Sequence, residues 1–315
     1  MANGSRHALY AVLENTYGDT PQNPTFETVR ITGTTLGLAK DSLQSEEIRS
    51  DRQIADFRLG NNQVGGDINF ELSYGSFDKF LQAALMALAW EQDTPIAGTE
   101  QIKAGISRNS FTLVRHFGDL PVDAKPYYIY RGVEINQLKL NIAPSAMVTG
   151  SFSVVGKSQQ IATDLSSMGT PTILPPTTTT PLDSFSGSLK EGGTEIAVIT
   201  EISLTLENGI EPRFVVGSKD SIKPSVSRSN LTGQITAYFE DSRLVDKFIN
   251  ETESSIVFTL PDAAGNLMAF EIPRIKYTGG QPDVDGEGPI TLTMPFQALV
   301  HPTAKSNILI QRNPA

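Results

Sequence analysis

Gly66-Asp-Ile-Asn-Phe-Glu-Leu72 alternates apolar and polar residues with a period of two, and Gly233-Gln-Ile-Thr-Ala-Tyr-Phe239 does the same. Alternation of this kind specifies a strand with one buried face. The match extends in both directions. Upstream, Leu36 and Leu38 recur 168 residues later as Leu204 and Leu206, and each pair is followed by a long polar loop. Downstream, Asp78-Lys-Phe-Leu81 corresponds to Asp246-Lys-Phe-Ile249. Phe77, Phe80, Leu81, Ala84, Leu85 and Leu88 form an apolar stripe at helical spacing, with Ser76 as the expected N-cap and Asp78 in the first turn. In the second copy Val245, Phe248 and Ile249 give a shorter stripe behind the cap candidates Asp241 and Ser242.

Beyond the helix, Phe111-Thr-Leu113 is echoed by Ile256-Val-Phe-Thr-Leu260. Val133 and Ile135 then share one parity while Leu138, Leu140 and Ile142 share the other, so the inward face switches near Asn136, as a β-bulge allows. Phe270 and Ile272, followed by Ile275 and Tyr277, break parity too, which puts Pro273 in the place of Asn136; proline lacks the ladder N–H and is tolerated at bulges. Val148, Phe152 and Val154 match Ile290, Met294 and Phe296. The order strand, long loop, strand, helix, three strands therefore occurs twice. This predicts a mainly β fold with one short helix per repeat. It divides the chain into a first domain (1–156), a linker rich in Pro, Thr, Ser and Gly (157–193) and a second domain (194–315).

The chain of 315 residues has a formal net charge of -10 and no cysteine. The acidic balance argues against nucleic-acid binding through a basic surface, and the absence of thiols rules out disulfides and thiolate metal sites. A polar start with no apolar run of signal-peptide length predicts no export by that route. Phe80 to Trp90 is too short to span a bilayer and reads as a buried helix. The histidines, His7, His116 and His301, stand at no metal-ligand spacing, and no nucleophile elbow, phosphate loop or dinucleotide fingerprint occurs. No cofactor is expected. Asp283-Val-Asp-Gly-Glu287 has alternate carboxylates but not the spacing of a calcium loop, and reads as a turn. Tyr127-Tyr-Ile-Tyr-Arg131 offers a stacking platform for a sugar, or ordinary strand aromatics.

With the repeat laid out, the chain resembles bacteriophage tail tube proteins in which two tube domains are fused. The resemblance rests on the order of elements, on Gly66-Asp-Ile-Asn-Phe-Glu-Leu-Ser73 followed by Ser76-Phe-Asp-Lys-Phe-Leu81, and on Gly288-Pro-Ile-Thr-Leu-Thr-Met-Pro-Phe-Gln-Ala298. It implies two tandem β-sandwich or barrel domains, no enzymatic activity, and a structural virion protein assembled in the host cytoplasm. It further implies trimeric rings with pseudo-sixfold symmetry, stacked into a tube. The implied partners are a tape measure protein inside, tail tip and terminator proteins at the ends, and genomic DNA passing through unbound, with no membrane. A tail terminator, a contractile inner tube and a carbohydrate-binding β-sandwich are the alternatives. The loops Asp41 to Asn62 and Asn208 to Ser229 are expected to carry ring stacking through Glu46, Glu47, Arg49, Asp51, Arg52, Arg213, Lys219 and Lys223, and the acidic excess is expected to face the channel.

Overall fold

The computed structural model describes residues 3–313 except 185–186, 196–198 and 285. Residues 7–162 form β1 (His7–Leu13), β2 (Thr25–Val29), β3 (Gly37–Gln44), β4 (Phe57–Glu71), α1 (Asp78–Ala84), β5 (Glu100–Lys103), β6 (Phe111–Phe117), β7 (Tyr127–Ile142), β8 (Thr149–Gly156) and β9 (Ser158–Ala162). Residues 188–313 form β10 (Ser188–Glu191), β11 (Ile199–Glu207), β12 (Asn230–Tyr238), α2 (Arg243–Ile249), β13 (Ser254–Pro261), β14 (Leu267–Tyr277), β15 (Thr291–Ala298) and β16 (Leu309–Asn313). The fold is mainly β with short helices, as the alternation predicts.

The main sheet runs β3–β4–β8–β7–β11–β12–β15–β14, antiparallel throughout, with four strands from each repeat. One face presents Ile68, Phe70, Leu138, Leu140, Phe152, Leu204, Leu206, Ile235 and Met294, all buried. The opposite face presents Asn69, Ser151, Lys139, Thr205, Thr232 and Gln297, which follow one another across the strands. A one-residue slip would exchange the two sets, so the register is tightly specified. Phe77 at the start of α1 and Phe80 within it pack on Phe70 and Phe152, with centroids 4.5 and 5.3 Å apart for Phe70–Phe77 and Phe80–Phe152. One apolar cluster extends from Leu9 to Ile310 and takes in side chains of both repeats, and a smaller one gathers Phe26, Val114, Ile129, Leu165 and Met168. Gly66 is required by its backbone: φ is +137° and a Cβ would lie 2.6 Å from the Thr35 carbonyl oxygen.

Several local expectations give way to tertiary contacts. The apolar stripe continues to Leu88, yet α1 ends at Ala84 because the chain turns through a left-handed Met86 (φ 50°). The Leu85 and Met86 carbonyls then accept from Gly105 N at 2.9 Å and Ser107 N at 2.8 Å, and Leu88 is 83% exposed. Ser76 does not cap α1; its hydroxyl accepts from Ser73 Oγ at 2.6 Å, and Phe77 occupies the cap position. The two parity breaks are different bulges. Asn136 is the extra residue of β7 against β8, whereas Pro273 and Arg274 bulge β14 against β13. The counterpart of the latter is at Arg131 and Gly132, where β7 bulges against β6.

Of residues 157–193, Ser158–Ala162 pairs with β7 and Thr172–Leu174 runs parallel to β2. The proline and threonine stretch then lies on the first repeat: Thr179 Oγ1 donates to Tyr74 O at 2.8 Å, and Leu182 is fully buried. At the other terminus β16 fits between β14 and β5. There Arg312 pairs with Asp78 and Glu100 and covers the Trp90 ring at 4.3 Å, tying the end of the second repeat to the first.

Candidate assembly interface

The junction between the repeats is a ladder. β7 and β11 pair from Ile142↔Ile202 through Leu140↔Leu204 and Leu138↔Leu206 to Gln137↔Glu207. Asn208, only 3% exposed, closes its end by donating from Nδ2 to Ala84 O at 2.9 Å and Ile135 O at 3.2 Å. The Asn136 side chain accepts from Ile210 N at 2.7 Å, which gives the bulge residue a partner across the junction. Nearby, Glu134 is buried against Arg108, and burial holds its carboxyl above the usual range despite that guanidinium.

The free edges of the sheet correspond to the two sides of this junction. Among the described residues β3 pairs only with β4, and past Ile275 the end of β14 pairs only with β15. Unpaired backbone donors and acceptors along an edge are a template for another strand. β3 is the counterpart of β11, since Leu36 and Leu38 match Leu204 and Leu206. On the other side, Ser153 faces Gln137 in the first repeat, and its counterpart Pro295 accepts from Thr278 N at 2.8 Å in the second.

The junction also introduces a stagger. Asn69 pairs with Ser151, and their counterparts Thr236 and Thr293 pair in the second repeat. Yet the cross-strand row from Asn69 and Ser151 leads through Lys139 and Thr205 to Thr232 and Gln297, four residues along from Thr236 and Thr293. Successive repeats are sheared, as closure of a tilted barrel requires.

The predicted loops extend from one end of the sheet and meet each other. β3 and β4 pair up to Gln44↔Phe57, leaving 45–56 as the tip. The second loop forms a small hairpin of Glu211–Arg213 with Ile222–Ser225. Asn62 joins them: its N–H donates to Lys219 O at 2.8 Å and its side chain to Asp220 Oδ1 at 2.6 Å. In the first tip Arg49 grips Asp51 at 2.7 Å, Asp51 accepts from Gln53 N at 3.2 Å, and Arg52 is left-handed at φ 59°. The Arg49 guanidinium holds the Asp51 carboxyl below the usual range. Glu46 and Glu47 point into solvent. Arg213 donates to Lys223 O at 2.8 Å, Lys219 Nζ to Leu59 O at 3.4 Å, and the Lys223 side chain is exposed. Several of the expected charges thus shape the loops, while Leu43, Ile48, Ile54, Phe57, Val215 and Val216 lie exposed around them. Asn62 and Asn208 were not singled out from the sequence. A polar side chain interrupting or ending an apolar strand was the signal they gave.

A family model described as phage tail tube protein matches residues 4–298. The chain belongs to the phage tail tube protein family. A search of curated proteins finds no match. Family membership makes the chain a structural component of the virion tail, and no helix among the described residues is long and apolar enough to cross a membrane.

In this tail tube protein the tyrosine run is largely taken up by packing. Tyr130 is 1% exposed and its hydroxyl donates to Leu36 O at 3.3 Å; Tyr127 stacks on His116 at 4.4 Å; Arg131 donates to Gln160 Oε1 at 2.8 Å. Among the described residues no group of three or more His, Asp or Glu is placed to hold a metal. Asp285, at the centre of the Asp283 to Glu287 turn, lies outside the described residues.

Proposed function

We propose that three copies of this chain close the main sheet into a ring, that rings stack into the tail tube, and that the polar face of the sheet lines a channel for DNA delivery. The observation that carries this reading is the β7–β11 junction. It joins one repeat to the next inside the chain and leaves its two complementary edges open at the ends. The stagger supplies the dimensions. Four residues of shear per four strands, at ~3.3 Å rise and ~4.8 Å spacing, gives a strand tilt of ~35°. Three chains then make a backbone diameter of ~45 Å, whereas two make ~30 Å, too narrow for a duplex once side chains are allowed for.

On the channel face the carboxylates of Asp67, Glu71, Glu201 and Glu207 outnumber Lys139 and Lys276 among many hydroxyls and amides. Phosphates are repelled by the excess and find no basic cluster to grip. A tape measure protein would occupy this channel before DNA does, and tip and terminator proteins would cover the exposed ends of the tube.

By the junction register, Ala39 of one chain stands opposite Thr278 of the next, as Glu207 stands opposite Gln137 within a chain. The natural chain has no cysteine, so Ala39→Cys with Thr278→Cys gives a clean test. Oxidised assemblies should yield covalent species that stop at the trimer. Monomers alone, or species larger than the trimer, would overturn the closure.

Stacking is assigned to the paired hairpins. Deleting residues 46–52 should leave oxidised trimers intact but abolish long tubes in negative-stain micrographs. Tubes of normal length from that variant would refute the assignment.

A further inference from the structure

We infer that the residues just ahead of β1 in one chain fill an open slot on the second repeat of its neighbour, as the residues ahead of β10 fill the matching slot on the first repeat within the chain. The inference rests on the trimeric ring and adds a second contact between its members.

In the first repeat a three-way bridge closes the place where β4 and β8 part. Leu72 N donates to Val148 O at 2.8 Å, Val148 N to Leu182 O at 2.9 Å, and Leu182 N to Leu72 O at 2.7 Å. Pro181 lies opposite Ser73 and Asp183 opposite Met147, so residues 181–183 are inserted between the two strand ends. Leu72, Val148 and Leu182 are all fully buried.

The second repeat keeps only part of this. Phe239 and Ile290, the counterparts of Leu72 and Val148, make the direct bond, from Phe239 N to Ile290 O at 2.9 Å. Among the described residues nothing donates to Phe239 O and nothing accepts from Ile290 N. Both side chains are only half-buried, and a cavity of about 260 Å³ opens beside them, lined by Tyr238, Phe239, Leu244, Lys247 and Leu292 among others. Unpaired backbone groups next to a partly apolar cavity suit an extended segment with a small or aliphatic side chain, which is what Leu182 supplies in the first repeat.

The duplication says which segment arrives there. Leu113 faces Tyr130 just before one bulge, and Ile256 faces Ile272 just before the other. Ala11 lies opposite Leu113, and Glu191 opposite Ile256, so β1 is the counterpart of β10. Leu182 stands nine residues ahead of Glu191, and Ala2 stands nine ahead of Ala11. In the ring, the neighbour whose β3 continues from β14 stands to the second repeat as the second repeat stands to the first. Its Ala2 therefore takes the place of Leu182, between Phe239 and Ile290.

The start of the chain is anchored at a matching point. Asn3 N donates to Asp119 Oδ2 at 3.0 Å, and Arg6 pairs with Asp119 at 2.9 Å. Asp119 lies six residues past Leu113, as Asp262 lies six past Ile256. Asp262 is close to Tyr74, which borders the filled slot: burial raises the pKa of the Tyr74 hydroxyl, and the charges of Glu100 and Asp262 add to the rise. Asp119 of the neighbour correspondingly holds its arm beside the open slot. The rims of the two slots differ, because Glu240 and Asp241 replace Ser73 and Tyr74. A carboxylate on the incoming arm would meet like charge there.

The natural chain has no cysteine, so Asn3→Cys with Pro289→Cys, the counterparts of Asp183 and Met147, reads the contact directly. Oxidised assemblies should give covalent species that stop at the trimer. Substitutions at residue 2 supply a second readout, scored by oxidation of Ala39→Cys/Thr278→Cys at limiting protein concentration. Ala2→Leu, copying Leu182, should raise the yield of cross-linked trimer, and Ala2→Asp should lower it by about threefold or more. If Asn3→Cys/Pro289→Cys gives monomers alone or species beyond the trimer while Ala39→Cys/Thr278→Cys gives trimers, the arm does not fill the slot and the ring stands. Equal trimer yields for Ala2→Leu and Ala2→Asp would overturn it as well. If Ala39→Cys/Thr278→Cys itself gives no trimers, the ring reading falls instead.

Discussion

Phe152→Ala should cost about 3–5 kcal/mol of folding stability, a large share of the ~5–15 kcal/mol typical of a folded domain. Phe152 is fully buried at the point where β8 crosses the middle of the first repeat. Its ring stacks on Phe70 at 4.6 Å and meets Phe80 at 5.3 Å and Phe77 at 6.2 Å. Truncation removes the shared partner of the helix and the sheet. The cavity cannot collapse cheaply, because β4 and β7 hold β8 by ladders on both sides. Phe152→Leu keeps most of the volume and should lose well under half as much. Urea denaturation followed by circular dichroism distinguishes them. Equal losses for Ala and Leu would show that the aromatic cluster is not the keystone of this core.

Glu191→Ala should be comparably damaging, at about 3–5 kcal/mol, for an electrostatic reason. Glu191 is 4% exposed and accepts from Lys247 Nζ at 2.6 and 2.7 Å, Ser254 Oγ at 2.5 Å and Tyr277 Oη at 3.0 Å. Removing the carboxylate strands a part-buried ammonium and a buried hydroxyl. Replacing both ends of the pair, as in Glu191→Leu/Lys247→Met, should recover much of the loss, since the unpaired charge is what costs most. A double variant as unstable as the single one would contradict this.

The same cluster predicts an alkaline limit. Burial, and after it the Glu191 charge, pushes the Tyr277 hydroxyl well above its ordinary range. The folded state therefore keeps the phenolic proton longer than the unfolded chain does. The stability this provides is complete below pH ~10 and declines as pH rises beyond it. Tyr277 should ionise only together with unfolding, a coupling visible as coincident phenolate absorbance and circular dichroism changes.

Much of this architecture is legible in the chain. Alternation in Gly66 to Leu72 and Gly233 to Phe239 fixes which side chains face the core, because strand side chains alternate strictly and an apolar set has to be buried on one side. The repeated order of elements follows from the same local signal. Helix length did not: the stripe through Leu88 is cut by Met86, because the backbone after Leu85 is claimed by Gly105 and Ser107, residues far along the chain. The bulges show the same limit. Asn136 and Pro273 each break parity, but a parity break does not say which neighbouring strand the extra residue opposes.

The sequence by itself therefore determined the β class and the inward faces of the strands. Only the tertiary structure decided that Leu140 meets Leu204, that the repeats are staggered by four residues, and that the exposed Arg49, Arg213 and Lys219 find partners within the loops, on Asp51, Lys223 O and Leu59 O. The division is physical. Burial pattern is a property of neighbouring residues and is written locally, whereas register across a junction is the joint result of two distant strands, their bulges and the polar groups, such as Asn208, that must find partners when the strands come together.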